Sequence, residues 1–138
     1  MRPSSGGPRK GSVLFRTTVL AFALLLTPLV AHADYLDVIT SRLAAGCSLD
    51  KYLGVVEEFR GVMKTQGYKY TVEIAPPFIG PDLSVVYWVG REPNFATFGQ
   101  ESDRWEAAIA KPGTPEAKVS AKLNACSENV SRSGSRTR

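Results

Sequence analysis

Residues 81–105 read PDLSVVYWVGREPNFATFGQESDRW. Leu83, Val85, Tyr87 and Val89 alternate with Val86 and Trp88. This is the period of a strand whose two faces are both apolar, as expected of a central strand covered on both sides. Gly90-Arg91-Glu92-Pro93 reads as its end, with Arg91 and Glu92 as surface charge. Asn94 is then a helix N-cap. Phe95, Phe98, Ser102, Trp105 and Ile109 follow at helical spacing along one face, and the aromatic residues of that stripe are expected to be core.

Upstream, Tyr70–Ile74 alternates as a second strand, with Tyr70, Val72 and Ile74 on one face and Thr71 and Glu73 on the other. The proline-rich run from Ala75 to Asp82 joins the two strands as a hairpin. Further back, Tyr35–Leu43 reads as a first strand. By parity its Asp37 and Arg42 lie on opposite faces. Ser48 caps a helix in which Tyr52, Val56, Phe59 and Met63 form the apolar stripe, and Gly67 is its stop. Gly54 and Gly61 share a face of that helix, either to admit a close backbone or by simple tolerance. Downstream, Lys111-Pro112-Gly113 breaks the second helix, and Thr114-Pro115-Glu116 starts a third carrying Val119, Leu123 and Cys126. Composition allows Ser127–Arg138 to be a weak edge strand or a loose tail. The domain is drawn over 34–130, with 131–138 as a polar basic tail.

The first 33 residues read as a cleaved secretory signal peptide. Arg2, Arg9, Lys10 and Arg16 form its basic region, Val19–Val30 its apolar core, and Ala31-His32-Ala33 its cleavage pattern. That core is short beside the ~20 residues of a membrane span, so no stable membrane anchor is expected after cleavage. Periplasmic or secreted localisation follows. Four of the 17 basic residues belong to the leader, which leaves 13 against 13 acidic residues. A neutral domain gives no electrostatic reason to bind nucleic acid. The one histidine, His32, is also in the leader. A processed chain without histidine has no Ser-His-Asp triad, no histidine–metal site and no histidine-ligated haem. No cofactor and no metal site is expected.

In an exported chain, Cys47 and Cys126 read as a disulfide closing a loop of about 80 residues. Two buried thiols, or a redox pair without the Cys-x-x-Cys spacing, are the alternatives. The order strand, helix, strand, strand, helix pair and a possible last strand is that of a ferredoxin-like βαββα(α)β sandwich with an antiparallel sheet. In that topology the first strand ends at the edge where the last begins, which brings Cys47 and Cys126 together.

Tyr87-Trp88-Val89-Gly90, Pro93-Asn94, Phe98-Gly99 and Trp105, after a strand, helix and strand, resemble the dimeric α+β barrel superfamily. The resemblance covers most of Tyr35–Val130 and concerns packing and turns. It implies a homodimer built by pairing sheets face to face, with Thr71, Glu73, Val86 and Trp88 toward the partner or an enclosed cavity. Members include cofactor-independent oxygenases, small-ligand isomerases and haem enzymes, and fold alone does not choose among them. The missing histidine, the cysteine bridge and the divided second helix depart from the pattern. The reading is an exported domain without assigned catalysis, dimerising through its sheet and binding a small apolar ligand or a protein. The alternative is a cofactor-independent enzyme using Glu73 or a tyrosine for acid–base work.

Overall fold

A computed structural model describes residues 34–80 and 82–137. The expected leader at 1–33 lies outside the described residues. Strand β1 (Tyr35–Leu43) leads to helix α1 (Leu49–Gln66), then β2 (Thr71–Ala75), β3 (Val85–Glu92), α2 (Phe95–Ile109), α3 (Pro115–Cys126) and β4 (Ser127–Arg136). The strands lie in the order β2-β3-β1-β4, and each neighbouring pair is antiparallel. Because β3 separates β1 from β2, β1-α1-β2 is a split βαβ unit, and the fold is a ferredoxin-like α+β sandwich.

Local chemistry sets the helix ends. The Ser48 side chain accepts a hydrogen bond from the Lys51 amide, and Gly67 ends α1 at φ 73°, where glycine carries no Cβ penalty. Asn94 and Thr114 cap α2 and α3 by accepting from the amides of Thr97 and Ala117. Tyr52, Val55, Val56, Phe59 and Met63 are the buried stripe of α1. A Cβ at Gly54 or Gly61 would meet nothing within 4 Å, so neither glycine admits another backbone.

The register assigns the sheet faces. Ile39 pairs with Trp88, Ser41 with Val86 and Ile74 with Trp88, while Val38 and Glu73 both pair with Val89. Ile39, Val72, Val86 and Trp88 join the α1 stripe, Val119 and Cys126 in one core. The helices therefore cover this face. Val38, Thr40, Glu73, Tyr87 and Val89 occupy the other, on which no helix lies among the described residues.

Three expectations are corrected. Strand β3 begins at Val85 and runs through Gly90 to Glu92, where the sequence suggested a turn. Gly90 stays in the strand, paired with Asp37 and Val72, and position 90 takes glycine because a Cβ there would collide with the Tyr70 hydroxyl lying across it. Helix α2 has no fully buried residue: Trp105 packs against the edge of the core, whereas Phe98 is half-buried and Phe95 exposed, so its aromatic stripe is not the core face expected. Residues 131–136 are not a tail: they continue β4, which pairs with β1 from Leu43 to Tyr35 with a register shift between Thr40 and Ser41. Polar, exposed side chains conceal this strand in the sequence, because its attachment is made by main-chain hydrogen bonds and by Arg132.

The disulfide joins Cys47 to Cys126 with Cα atoms 5.3 Å apart. Beside it the Ala44 amide donates to the Cys126 carbonyl at 2.9 Å, closing the corner where β1 ends and β4 begins. Truncation after Val130 removes most of β4 and leaves the Asp37 carboxylate without its guanidinium partner. It should cost on the order of 3–5 kcal/mol in chemical denaturation, the scale of breaking a buried ion pair. Unchanged stability would show that 131–138 is an appendage after all.

Candidate functional site

Helix α2 stands off the sheet, and a cleft of about 350 Å³ opens between it, the helix-facing side of the sheet, α1 and α3. The aromatic stripe expected to be core lines this space instead: Phe98 and Trp105 from α2 face Phe59 from α1 and Trp88 from β3. The Phe59 ring meets Trp88 edge-on at 4.9 Å and Trp105 at 5.4 Å between centroids. Tyr35 lies against Phe98 at 4.4 Å and Phe95 at 5.3 Å. The cleft's lining is shared about equally between aromatic or aliphatic side chains and polar ones, and its size is that of a small-molecule site.

One polar group on its floor is a chain of four side chains. Arg132 of β4 donates from Nε to Asp37 Oδ1 at 2.7 Å and from Nη2 to Oδ2 at 2.9 Å. The Tyr70 hydroxyl donates to Asp37 Oδ2 at 2.8 Å, and Trp88 Nε1 donates to the Tyr70 oxygen at 2.7 Å. Asp37 is only 1 % exposed, so its charge is supported by these donors rather than by water. Burial first, then the Asp37 carboxylate, pushes the Tyr70 phenol well above its ordinary value, against the hydrogen bond from Trp88. The hydrogen bond to Asp37 raises the Arg132 guanidinium further. Such a tyrosine anchors the floor and is a poor proton donor to a ligand.

The other polar group is a pair of carboxyls. Glu101 of α2 accepts from the Lys69 amide at 2.9 Å and the Tyr70 amide at 3.2 Å, which ties α2 to the start of β2. Glu92, at the end of β3, is 2 % exposed and lines the cleft. As a carboxylate it has no hydrogen-bond donor among the described residues. Burial first, and the neighbouring Glu101 second, push its pKa up to about 8, opposed by Lys69. Burial thus favours the protonated form of Glu92 at neutral pH.

The four residues expected on one ligand or dimer face are divided by the sheet. Val86 and Trp88 are buried under the helices, and Trp88 lines the cleft. Thr71 and Glu73 are exposed on the opposite face. The β2–β3 register requires this, because Thr71 pairs with Arg91 and Glu73 with Val89, whereas Trp88 pairs with Ile74, and successive residues of a strand point to opposite faces. Glu73 is thus placed away from the cleft and from the acid–base role considered for it. Sequence reasoning passed over Asp37, Glu92 and Arg132. The signal for Glu92 was its parity with Val86 and Trp88, hidden once Gly90 was read as a turn. Asp37 shares parity with Ile39 in the same way. Nothing local marks Arg132, whose partner lies 95 residues away.

No protein-family model matches the chain, and no curated protein matches it. Among solved structures the chain is similar to a dimeric protein of unknown function and ferredoxin-like fold from Bacteroides fragilis, known from a crystal structure at 1.85 Å resolution. The two share 10% identity over 75% of this chain and 94% of that one, with a TM-score of 0.42. The fold assignment here rests on the strand order and pairing described above.

A carboxyl held above its ordinary value binds its proton more tightly folded than unfolded. Its stabilising contribution is complete below the ordinary value of 4.5 and is lost as pH rises toward about 8. The stability of the wild type relative to Glu92→Gln should therefore fall between pH of about 5 and about 8. Urea denaturation of both proteins across that range is the measurement, and parallel profiles would refute the raised carboxyl.

Proposed function

We propose that this protein is an exported domain that binds a small, mainly apolar molecule in the cleft between α2 and its sheet. The observation that carries this reading is the aromatic stripe of α2, which lines a cleft of about 350 Å³ and is left without a fully buried residue. An amphipathic helix gains stability by burying its apolar face. Leaving Phe98 and Trp105 half-buried forgoes part of that gain, roughly 25 cal/mol for each Å² left wet. A ligand between α2 and the sheet recovers it. Export rests on the leader pattern and accords with the disulfide. No helix among the described residues is long and apolar enough to cross a membrane.

No catalytic step is assigned. Tyr70 is engaged at both ends, and Glu73 does not reach the cleft.

Both tryptophans of the chain, Trp88 and Trp105, line the cleft, so the site has an intrinsic reporter. Titration with phenethyl alcohol, a small uncharged aromatic probe, should shift their emission and protect them from acrylamide quenching in a saturable manner. A linear response with no protection would remove the ligand-binding reading.

The reading also includes a homodimer through the helix-free face, where Val38 and Val89 lie beside Tyr87. Burying such a patch against a second copy is the ordinary fate of an apolar sheet surface. Sedimentation equilibrium of the processed chain should give twice the monomer mass, and Val89→Lys should return it to one. A clean monomer at high micromolar concentration would exclude the pairing.

A further inference from the structure

We propose that the ligand taken by this cleft is an organic cation, a small amine with an apolar body, whose ammonium docks between the Glu92 and Glu101 carboxyls. The proposal rests on the ligand-binding reading above and specifies its chemistry.

Three observations point to a cation. Glu92 is almost wholly buried, lines the cleft, and in its charged form has no donor among the described residues. A buried carboxylate without a donor is costly, and the cost disappears when a cation supplies one. The charge of the lining has the same sense. Asp37, Glu92, Glu101 and Glu106 face the cleft against one lining guanidinium, and Arg132 is already committed to Asp37 through two hydrogen bonds. The walls are suited to a cation as well, because the π face of an aromatic ring attracts positive charge. Two rings of the lining already do so: the Arg104 guanidinium lies 4.1 Å from the Tyr68 centroid, and that of Arg132 lies 5.5 Å from Phe98.

The ammonium and the proton on Glu92 compete for one place. The charged groups that act on that place are Glu101 of α2 and Lys69 before β2, and the same cleft also presents Glu106 of α2, Asp37 of β1, Arg132 of β4 and the Tyr70 hydroxyl. Tyr35 stands directly across from Glu92 in the β1–β3 register. Binding therefore releases the proton, the carboxylate forms, and the ammonium donates to it. An alkylammonium remains charged well above neutral pH, since an amine of lysine type titrates near 10.4. The pH dependence of binding then belongs to the carboxyl pair.

The test uses three probes of similar shape on the processed protein: phenethylamine, phenethyl alcohol and 3-phenylpropanoate. Isothermal titration at pH of about 8 should find the amine bound at least about tenfold more tightly than the alcohol, and the acid weakest. Glu92→Gln, which keeps shape and hydrogen-bonding capacity, should abolish the preference for the amine over the alcohol, both measured on the same variant. Between pH of about 8 and 6 the wild-type affinity for the amine should fall by up to about tenfold per unit, with proton release seen as buffer-dependent heat. Equal binding of amine and alcohol would overturn the cation and leave the ligand cleft standing. Failure of all three probes would overturn both. An amine preference that survives Glu92→Gln and also Glu101→Gln would overturn the assignment to the carboxyl pair.

Discussion

A carboxylate that is 1 % exposed must be given donors by the protein, and the fold is arranged around this need at Asp37. Its donors come from distant parts of the chain: Tyr70 at the entry to β2 and Arg132 on β4, with Trp88 of β3 holding the Tyr70 oxygen. Every strand of the sheet, or the residue leading into it, thus contributes to one cluster. The same cluster explains two small residues. Gly90 leaves space for the Tyr70 hydroxyl, and Gly134, opposite Asp37 in β4, leaves space for the Tyr35 ring. The disulfide secures the opposite end of the β1–β4 pair, where Cys126 passes into Ser127. An edge strand with almost no apolar side chain is in this way held at both ends. Its polar surface also discourages pairing with strands of other molecules.

The sandwich is dense on one side and open on the other. Helices α1 and α3 close over Ile39, Val72, Val86 and Trp88, linked to one another by Lys122 and Glu58. Helix α2 is held at its middle by Glu101 on the amides of Lys69 and Tyr70 and by Arg104, which donates to the Gln66 carbonyl. It is therefore positioned by polar ties to the α1–β2 connection, and its aromatic face is left above the cleft. A helix whose apolar face is only half-buried, with polar ties at its middle, can shift at lower cost than a fully buried one, because fewer buried contacts must be broken. This accounts for an open cleft in a small domain whose aromatic residues would otherwise close on one another.

Much of this architecture is legible in the sequence. Caps at Ser48, Asn94 and Thr114, the stop at Gly67 and the stripe from Tyr52 to Met63 are local signals, and each operates as read. The element order gave the ferredoxin-like sandwich, and the sandwich brought Cys47 to Cys126. The candidate site was much less legible. Trp88 was singled out and does line the cleft, but Val86 beside it is core, and Thr71 and Glu73 belong to the other face. A single misread glycine caused the loss of Glu92. Taking Gly90 as a turn ended β3 too early and left Glu92 as surface charge, whereas the continuing strand carries it into the interior.

The sequence by itself determined the helices, their ends, three of the four strands and the cysteine pairing, because those depend on contacts close in the chain or on topology. Only the tertiary structure decided that 131–136 is a strand, that Asp37 and Arg132 are partners, and that the α2 stripe faces a cavity. The reason is physical. Periodicity reports that a helix has an apolar face but carries no information on how near the opposing surface lies. The stretch 81–105 shows both halves of this: its strand went to the centre of the sheet, and its helix, apolar as any core helix, came to rest above an opening.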